Sequence, residues 1–380
     1  MSNTLKFGNG EWYGKEGTIL AYNSENNNYK PLPFTFERDS VATRVNKQGL
    51  IETVGADQPR IDYLNDSNGA LLLEPSRANL YTYSNDVSFW TKNNVTTTSD
   101  YAISPDGTQN AFRAQFTSST GLLYITATGT TGTDNTLSVW AKSNNGSSNK
   151  FRFFANGNTT LSDDFIATDE WQRFEFTFNC TSVTAGLTGA SDSATNDILF
   201  YGFQHEVGSY ATSYIPTQGS AVTRLADFCN QTVPDGVIGQ TEGTLYVDFN
   251  INTGQGIGGI IELINPSNTQ SRVLLWDGTA VSNNINLVAF FSAKSASITL
   301  NNVSVGNHKA VLIYSNSFTK FFLDGVKIGE EISNNPYSDM NKIDFNHVSG
   351  GVNFQQKRIK DVKLYNIALT DQEAIALTQV

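Results

Sequence analysis

The sequence predicts an all-β protein: two antiparallel β-sandwiches preceded by an irregular N-terminal region. Three observations lead there. Charged residues make up only 16% of the chain and aromatics 12%, a mixture suited to sheets faced with hydroxyls and amides. Short apolar-polar alternations recur, separated by Gly, Ser and Asn clusters such as Asn144-Asn145-Gly146-Ser147-Ser148. Only one helix is convincing, at the very end. With 380 residues the chain has room for two or three domains with their own cores.

Residues 1–80 read as a region of their own, broken by turn signals at Asn9-Gly10, Asn26-Asn27-Asn28 and Asp66-Ser67-Asn68-Gly69. Its apolar residues, among them Trp12, Tyr13, Ile19, Leu20, Tyr22, Phe34 and Phe36, fall out of register for a single amphipathic sheet. They are expected to find partners outside the segment, on the first sandwich or on another protein.

Residues 81–228 form the first expected sandwich, with strands at 111–116, 122–128, 135–142, 150–155, 172–179 and 198–206. Phe174, Phe176 and Phe178 alternate at period two and so share one face, the core face. Pro216 cannot donate to a ladder and marks where the sheet releases the chain.

Residues 229–380 form the second, with strands at 243–251, 258–264, 271–276, 286–292, 296–300, 308–315, 318–323 and 358–365. Asp324-Gly325 after Phe321-Phe322-Leu323 signals a hairpin. Thr370 followed by Glu373 is a capping box that opens the terminal helix. Limited proteolysis is expected between 216 and 243, releasing a stable C-terminal fragment.

Composition narrows function by exclusion. Net charge is −11 with no basic run, a poor match to nucleic acid or anionic membrane. No apolar run reaches the ~20 residues of a membrane span, and the first residues, Met1 to Lys6, lack the apolar core of a signal peptide. Cys180 and Cys229 could pair, but a reducing site of folding favours two free thiols.

Catalytic signatures are missing. Residues 240–380 lack the Glu-x-Asp-x-x-Glu spacing that would set two carboxylates on one strand face, and Glu330, Glu331 and Asp344 read as isolated turn carboxylates. His205, His308 and His347 stand outside any zinc spacing. Gly254 to Gly259 is glycine-rich but precedes no helix, so it reads as a loop and not a phosphate cradle. No catalytic residue, cofactor or metal is assigned. Asp163-Asp164 and the stretch 192–197 are acidic turns, read as solvated loops although a structural calcium ion could use such loops.

Aromatic residues are the candidates for binding sugar, because pyranose C–H faces stack on Trp and Tyr. Trp90, Tyr124 and Trp276 are the expected glycan-binding residues; Trp140 and Trp171 read as structural.

Two phrases carry a resemblance. Leu71-Leu72-Leu73-Glu74-Pro75-Ser76-Arg77-Ala78-Asn79-Leu80 resembles the opening, and Phe203-Gln204-His205-Glu206-Val207-Gly208-Ser209-Tyr210-Ala211-Thr212-Ser213-Tyr214-Ile215-Pro216-Thr217 with Ala221-Val222-Thr223-Arg224 the close, of a carbohydrate-binding-module-like jelly roll in phage virion proteins. Ala78 stands where that family usually has Thr. The segment 36–52 is similar to phage fibre proteins, where it lies toward the particle. The last strand and helix, 359–374, resemble the close of a concanavalin-A-like, laminin-G-like domain. The resemblance implies a tail fibre, spike or head fibre of a bacteriophage, held to other virion proteins by its N-terminal region. It implies a homotrimer, assembled in the host cytoplasm, that adheres to host surface glycan or receptor without catalysis. Rival expectations are a polysaccharide depolymerase and a purely structural capsid or tail component.

Overall fold

A computed structural model describes residues 4–8, 13–15, 18–20, 22–23, 33–127, 130–190, 196–251, 258–277, 285–291, 296–332, 337, 339–346 and 356–380. All strand pairings in it are antiparallel, and the expected all-β fold class holds. Asp371–Thr378 is the single α-helix among the described residues. Its capping box forms as the sequence predicts: Glu373 N donates to Thr370 Oγ1 at 3.3 Å, and Thr370 N to Glu373 Oε2 at 2.8 Å. Asp324 and Gly325 both take positive φ, as a two-residue hairpin turn requires.

The chain divides into two compact units, neither of them continuous. One, the frame, consists of residues 1–41, 54–75 and 226–380; the other, the insert, of 42–53 and 76–225. The chain therefore crosses between units at 41/42, 53/54, 75/76 and 225/226.

This division corrects the expectation of a separate region over residues 1–80. Thr4–Gly8 pairs with Lys357–Tyr365, which also pairs with Ala70–Leu73; Pro33–Glu37 pairs with Phe228–Thr232. Phe34, Phe36, Ile61, Leu71 and Leu73 sit in the same core as Leu245, Leu312 and Ile359. Of the apolar residues singled out in 1–36, Phe34 and Phe36 find their partners among the C-terminal strands of the frame, and not on the first sandwich or on another protein as expected. The alternation of Phe34 and Phe36 is visible in the sequence, but pairing of 33–37 and 70–73 with strands some 200–300 residues away has no local sequence signal.

The frame is a sandwich of two nine-stranded sheets. One runs Val326–Ile332, Phe318–Leu323, Gly306–Tyr314, Gly243–Ile251, Lys357–Tyr365, Thr4–Gly8, Tyr22–Asn23, with Arg60–Asp62 and Ala70–Leu73 joined at Lys357–Tyr365. The other runs Tyr13–Lys15, Thr18–Leu20, Pro33–Glu37, Phe228–Thr232, Lys342–Asp344, Gly258–Asn265, Asn268–Asp277, Ile285–Phe291, Ala296–Val303. Asp344, expected in a turn, thus lies on a strand, and Glu330 and Glu331 lie within Val326–Ile332.

At the crossings the frame holds a buried charge cluster. Asp227 accepts from Arg38 Nη1 at 3.0 Å, from Arg60 Nη2, and from the Glu74 backbone N–H at 2.8 Å. Glu74 accepts from Arg60 Nη1 at 2.6 Å and from Gln356 at 2.9 Å. Arg38 also donates to the carbonyls of Gly55 and Gln58. All four charged side chains are fully buried, two of each sign, so the cluster is neutral as a whole. Each crossing lies within four residues of one member of this cluster or of a carbonyl it binds.

On the outer face of the frame's first sheet, Asp248 stands directly across from Asp361 and Lys309. Burial, with Asp361 and Asp66 nearby, pushes its carboxyl up to about 6 against the cations Lys360 and Lys309. The folded state therefore holds a proton between pH ~4 and 6 that the unfolded chain has released. That contribution is present below pH ~4 and is lost as pH rises through 6. Asp248→Asn is expected to raise stability by about 1–2 kcal/mol at pH 7.5, a two-unit shift discounted for solvent screening, and to change little at pH 4. Thermal melts at the two pH values check it; an equal shift at both would point to packing and not to charge.

The insert is a second sandwich, of jelly-roll type. A five-stranded sheet runs Val95–Ile103, Gln109–Phe116, Asn196–Val207, Asp134–Ser143, Gln172–Asn179. A six-stranded sheet runs Thr91–Asn93, Leu122–Thr126, Thr184–Gly189, Asn149–Ala155, Thr160–Leu161, with Phe165–Ala167 also on Asn149–Ala155. Phe178 is buried between them with Phe112, Phe151 and Phe200, and Phe174 and Phe176 pack against the same core, as their alternation predicted.

The two recurrent phrases turn out to fasten this unit together. Asn79 donates to the carbonyls of Phe203 at 2.9 Å and Ile215 at 2.8 Å, and accepts from His205 N at 3.1 Å. Gln204 accepts from Ile215 N at 2.6 Å, and Glu206 from Thr212 N at 3.0 Å. The segment after Gly208 thus folds back over its own strand, read by that strand's polar side chains. Arg77–Asn79 pairs with Val222–Arg224, closing the seam. These polar residues are structural.

Candidate functional site

The five tryptophans separate by the fate of their indole N–H, a donor that usually finds a partner when buried. Trp90 is 4% exposed, packed on Tyr81 and Phe203, and donates to Tyr83 O at 2.8 Å. It is core, which removes it from the expected glycan-binding residues: a ring with no open face cannot stack on a sugar. Trp171 donates to Ile103 O at 3.2 Å. Trp140 and Trp276 are half-buried, and neither indole N–H meets a partner among the described residues. Trp12 and His347 lie outside the described residues.

Trp140 lies on the outer face of the five-stranded sheet, where a Cβ on Gly202 would stand 3.4 Å from both its ring and that of Tyr214. The folded-back segment is therefore its neighbour. Tyr124 is half-buried on the outer face of the six-stranded sheet, its ring edge-on to Phe154 at 5.7 Å. Between them Gly186 carries no side chain; a Cβ there would come within 2.7 Å of Tyr124 Cβ. The structure thus places the three expected residues in three different settings: Trp90 in a core, Tyr124 on the insert, Trp276 on the frame.

Trp276 has the richer surroundings. On Asn268–Asp277, Val273 and Leu275 enter the frame core, so Arg272, Leu274 and Trp276 share the outward face. Cross-strand neighbours extend that face. Trp276 stands opposite Val288, and Leu274 opposite Phe290; beyond them come the exposed Thr299 and Ser297. On the other side Glu262 stands opposite Leu274 and Asp344 opposite Glu262. The face so assembled joins aromatic rings, aliphatic groups, hydroxyls and two ion pairs.

Those ion pairs are Arg272–Glu262 at 3.2 Å and Lys342–Asp344 at 2.8 Å. Asp344 also accepts the Asn346 backbone N–H at 2.8 Å. Burial pushes the Glu262 carboxyl up to about 8, helped by Asp344 and opposed by Arg272, Lys342 and Lys357. Lys357 reaches the same end of the sheet from the opposite sheet, donating to the carbonyls of Gly259 and Phe345; burial lowers its ammonium to about 7. Glu262 and Asp344 form a carboxylate pair that sequence spacing missed because they come from strands about 80 residues apart. Each is already engaged by a cation, which marks them as parts of a charge network.

Other sequence-singled residues resolve plainly. His205 is buried, its ring bonded to Asn135 at 2.9 Å, with burial lowering its pKa to about 4. His308 pairs with Asp324 at 2.7 Å. Asp164 lies 3.4 Å from Arg152, and Asp197 is held by Arg113 at 2.7 Å. Among the described residues no group of three His, Cys, Asp or Glu could hold a metal ion, and no helix is long and apolar enough to cross a membrane. Cys180 and Cys229 are buried and unpaired with each other. Of the glycine-rich stretch 254–259, residues 254–257 lie outside the described residues, while Gly258 and Gly259, expected in a loop, open the strand Gly258–Asn265.

No protein-family model and no curated protein matches the chain. Similar solved structures include the CBM40 of a Ruminococcus gnavus IT-sialidase bound to α2,3-sialyllactose, at 17% identity and TM-score 0.30, covering 37% of this chain and 84% of that one. Domain 4 of an extracellular arabinanase from Geobacillus stearothermophilus, in complex with arabinotriose, matches at 12% identity and TM-score 0.31, covering 45% and 83%. The binding domain of botulinum neurotoxin serotype G matches at 12% identity and TM-score 0.31, covering 40% and 39%. Likenesses at this level carry no argument about function.

Proposed function

We propose that this protein is a non-catalytic adhesion component of a phage virion, a tail fibre, spike or head fibre, that binds host surface glycan. One observation carries the binding part: the half-buried ring of Trp276 on the outward face of its strand, flanked across the sheet by the partly exposed Phe290 and the exposed hydroxyls of Ser297 and Thr299. A sugar ring stacks on such an aromatic surface while its hydroxyls meet those of the neighbouring serine and threonine. The virion part rests on the sequence phrases at 71–80 and 203–224. Attachment to neighbouring virion proteins is assigned to the N-terminal side, whose strands belong to the frame's sheets, and the assembly is a homotrimer in the virion.

The test is binding of the full-length protein to arrayed glycans from bacterial surfaces, followed by Trp276→Ala. Loss of the stacking ring is expected to weaken binding at least tenfold, while Trp90→Phe, a core change, alters melting temperature and leaves affinity of the folded protein alone. Glycan binding unaffected by Trp276→Ala would remove the frame face from the reading; product release from the same glycans would replace adhesion by hydrolysis.

A further inference from the structure

The chain holds four Asn-Gly pairs: Asn9-Gly10, Asn68-Gly69, Asn145-Gly146 and Asn156-Gly157. In such a pair the glycine nitrogen can attack the asparagine side-chain carbon, because the glycine has no side chain to shield it. The first pair lies outside the described residues. At two others the fold closes the route. Gly69 N donates to Asp66 O at 3.2 Å and Gly157 N to Thr184 O at 3.0 Å, so both nitrogens are engaged. Asn156 is also 8% exposed and held at both ends of its amide. Its Nδ2 donates to Thr160 Oγ1 and Asn179 O, and its Oδ1 accepts from Thr181 N and Ser182 N.

Asn145-Gly146 is the opposite case. Both residues are exposed, and neither Gly146 N nor Asn145 Nδ2 has an acceptor among the described residues. Asn145 Oδ1 accepts from Ser147 N at 3.1 Å, one residue past the glycine, which folds the side chain over the Gly146 peptide. Ser143 Oγ at 3.0 Å and Asn149 Nδ2 at 2.8 Å donate to the same oxygen.

We propose that Asn145 is a site of self-modification by deamidation. Gly146 N loses its proton and bonds to Asn145 Cγ; the Cγ–Nδ2 bond breaks, ammonia leaves and a succinimide ring closes. Solvent water then opens the ring at either carbonyl, giving aspartate or, with the backbone rerouted through the side chain, isoaspartate. Nothing is oxidised or reduced, and water is the co-reactant. The three donors around Oδ1 suit the aspartate product, since hydrogen bonds to a carboxylate are stronger than those to a neutral amide oxygen. Asp197, which accepts from the neighbouring Asn144 at 3.1 Å, is already paired with Arg113 at 2.7 Å. The insert therefore gains negative charge with age while its turn is kept in the aspartate form. This inference stands apart from the glycan-binding reading.

The test incubates the full-length protein in warm neutral buffer made with heavy-oxygen water, either folded or unfolded in guanidinium chloride, and follows each site by peptide mass spectrometry. Unfolded, Asn68, Asn145 and Asn156 are expected to react at comparable rates, since each precedes a glycine. Folded, Asn145 is expected to react at least tenfold faster than Asn68 and Asn156. Equal rates at the three sites in the folded protein, or a tenfold slowing of Asn145 on folding, overturn the proposal. Asn145→Asp is expected to melt no lower than the native protein; a clear drop in melting temperature overturns the fit of the carboxylate to its three donors.

Discussion

Asp227→Ala is expected to destabilise the frame by about 3–5 kcal/mol, the scale for removing one partner of a buried ion pair. Asp227 gives both carboxylate oxygens to the cluster, one to Arg38 and one to Arg60 and the Glu74 backbone. Without it, two arginines and one glutamate remain in a site with no exposure, a net buried charge where there was none. Burial alone would lower the Arg60 pKa; the charges and hydrogen bonds of Asp227 and Glu74 more than offset this and raise it. Asp227→Asn keeps the shape but not the charge and is expected to cost nearly as much. Urea unfolding followed by far-ultraviolet circular dichroism measures the change. Domains hold only about 5–15 kcal/mol in total, so a cost under 1 kcal/mol would mean that water or a neighbouring group already shares the cluster's charge.

Residues 226–380 expressed alone are expected not to fold, against the sequence-based expectation of a stable C-terminal fragment. Lys357–Tyr365 loses two pairing partners, Thr4–Gly8 and Ala70–Leu73, and Phe228–Thr232 loses Pro33–Glu37. The core loses Phe34, Phe36, Ile61, Leu71 and Leu73, all nearly inaccessible to solvent. At ~1.5–3 kcal/mol for each large apolar side chain, that is roughly 8–15 kcal/mol, as much as a whole domain's net stability. Residues 76–225, which contain every strand of the insert's two sheets, are expected to fold when produced alone. A cooperative unfolding transition in the 226–380 fragment would sink this account of the frame.

Much of this was legible locally. The capping box at Thr370 and Glu373, the Asp324-Gly325 turn and the phenylalanine row at 174, 176 and 178 are set by neighbours a few positions apart, and all three stand as read. The domain plan was not, because it depends on pairings such as Thr4 with Tyr365 that local periodicity does not encode. The candidate site divided in the same way. Trp276 could be singled out as a ring at a strand end, but the Arg272-x-Leu274-x-Trp276 alternation becomes informative only once the opposite face is known to be core. Trp90 misled because a tryptophan flanked by Phe89 and Thr91 reads the same in sequence whether its ring points in or out.

When two units of one chain are pulled apart, the path of the chain decides how tension is shared. Two domains joined end to end hang from one peptide strand. Here the polypeptide passes between frame and insert at four places, so a pull on one unit against the other divides among four covalent paths. Within the frame those paths begin beside a single knot of salt bridges, Arg38, Arg60, Glu74 and Asp227. Stretching any one path draws on bonds that the other three also hold taut. Such a joint is expected to yield at higher force than a single linker and to fail all at once, a behaviour that pulling on single molecules would register as one large rupture.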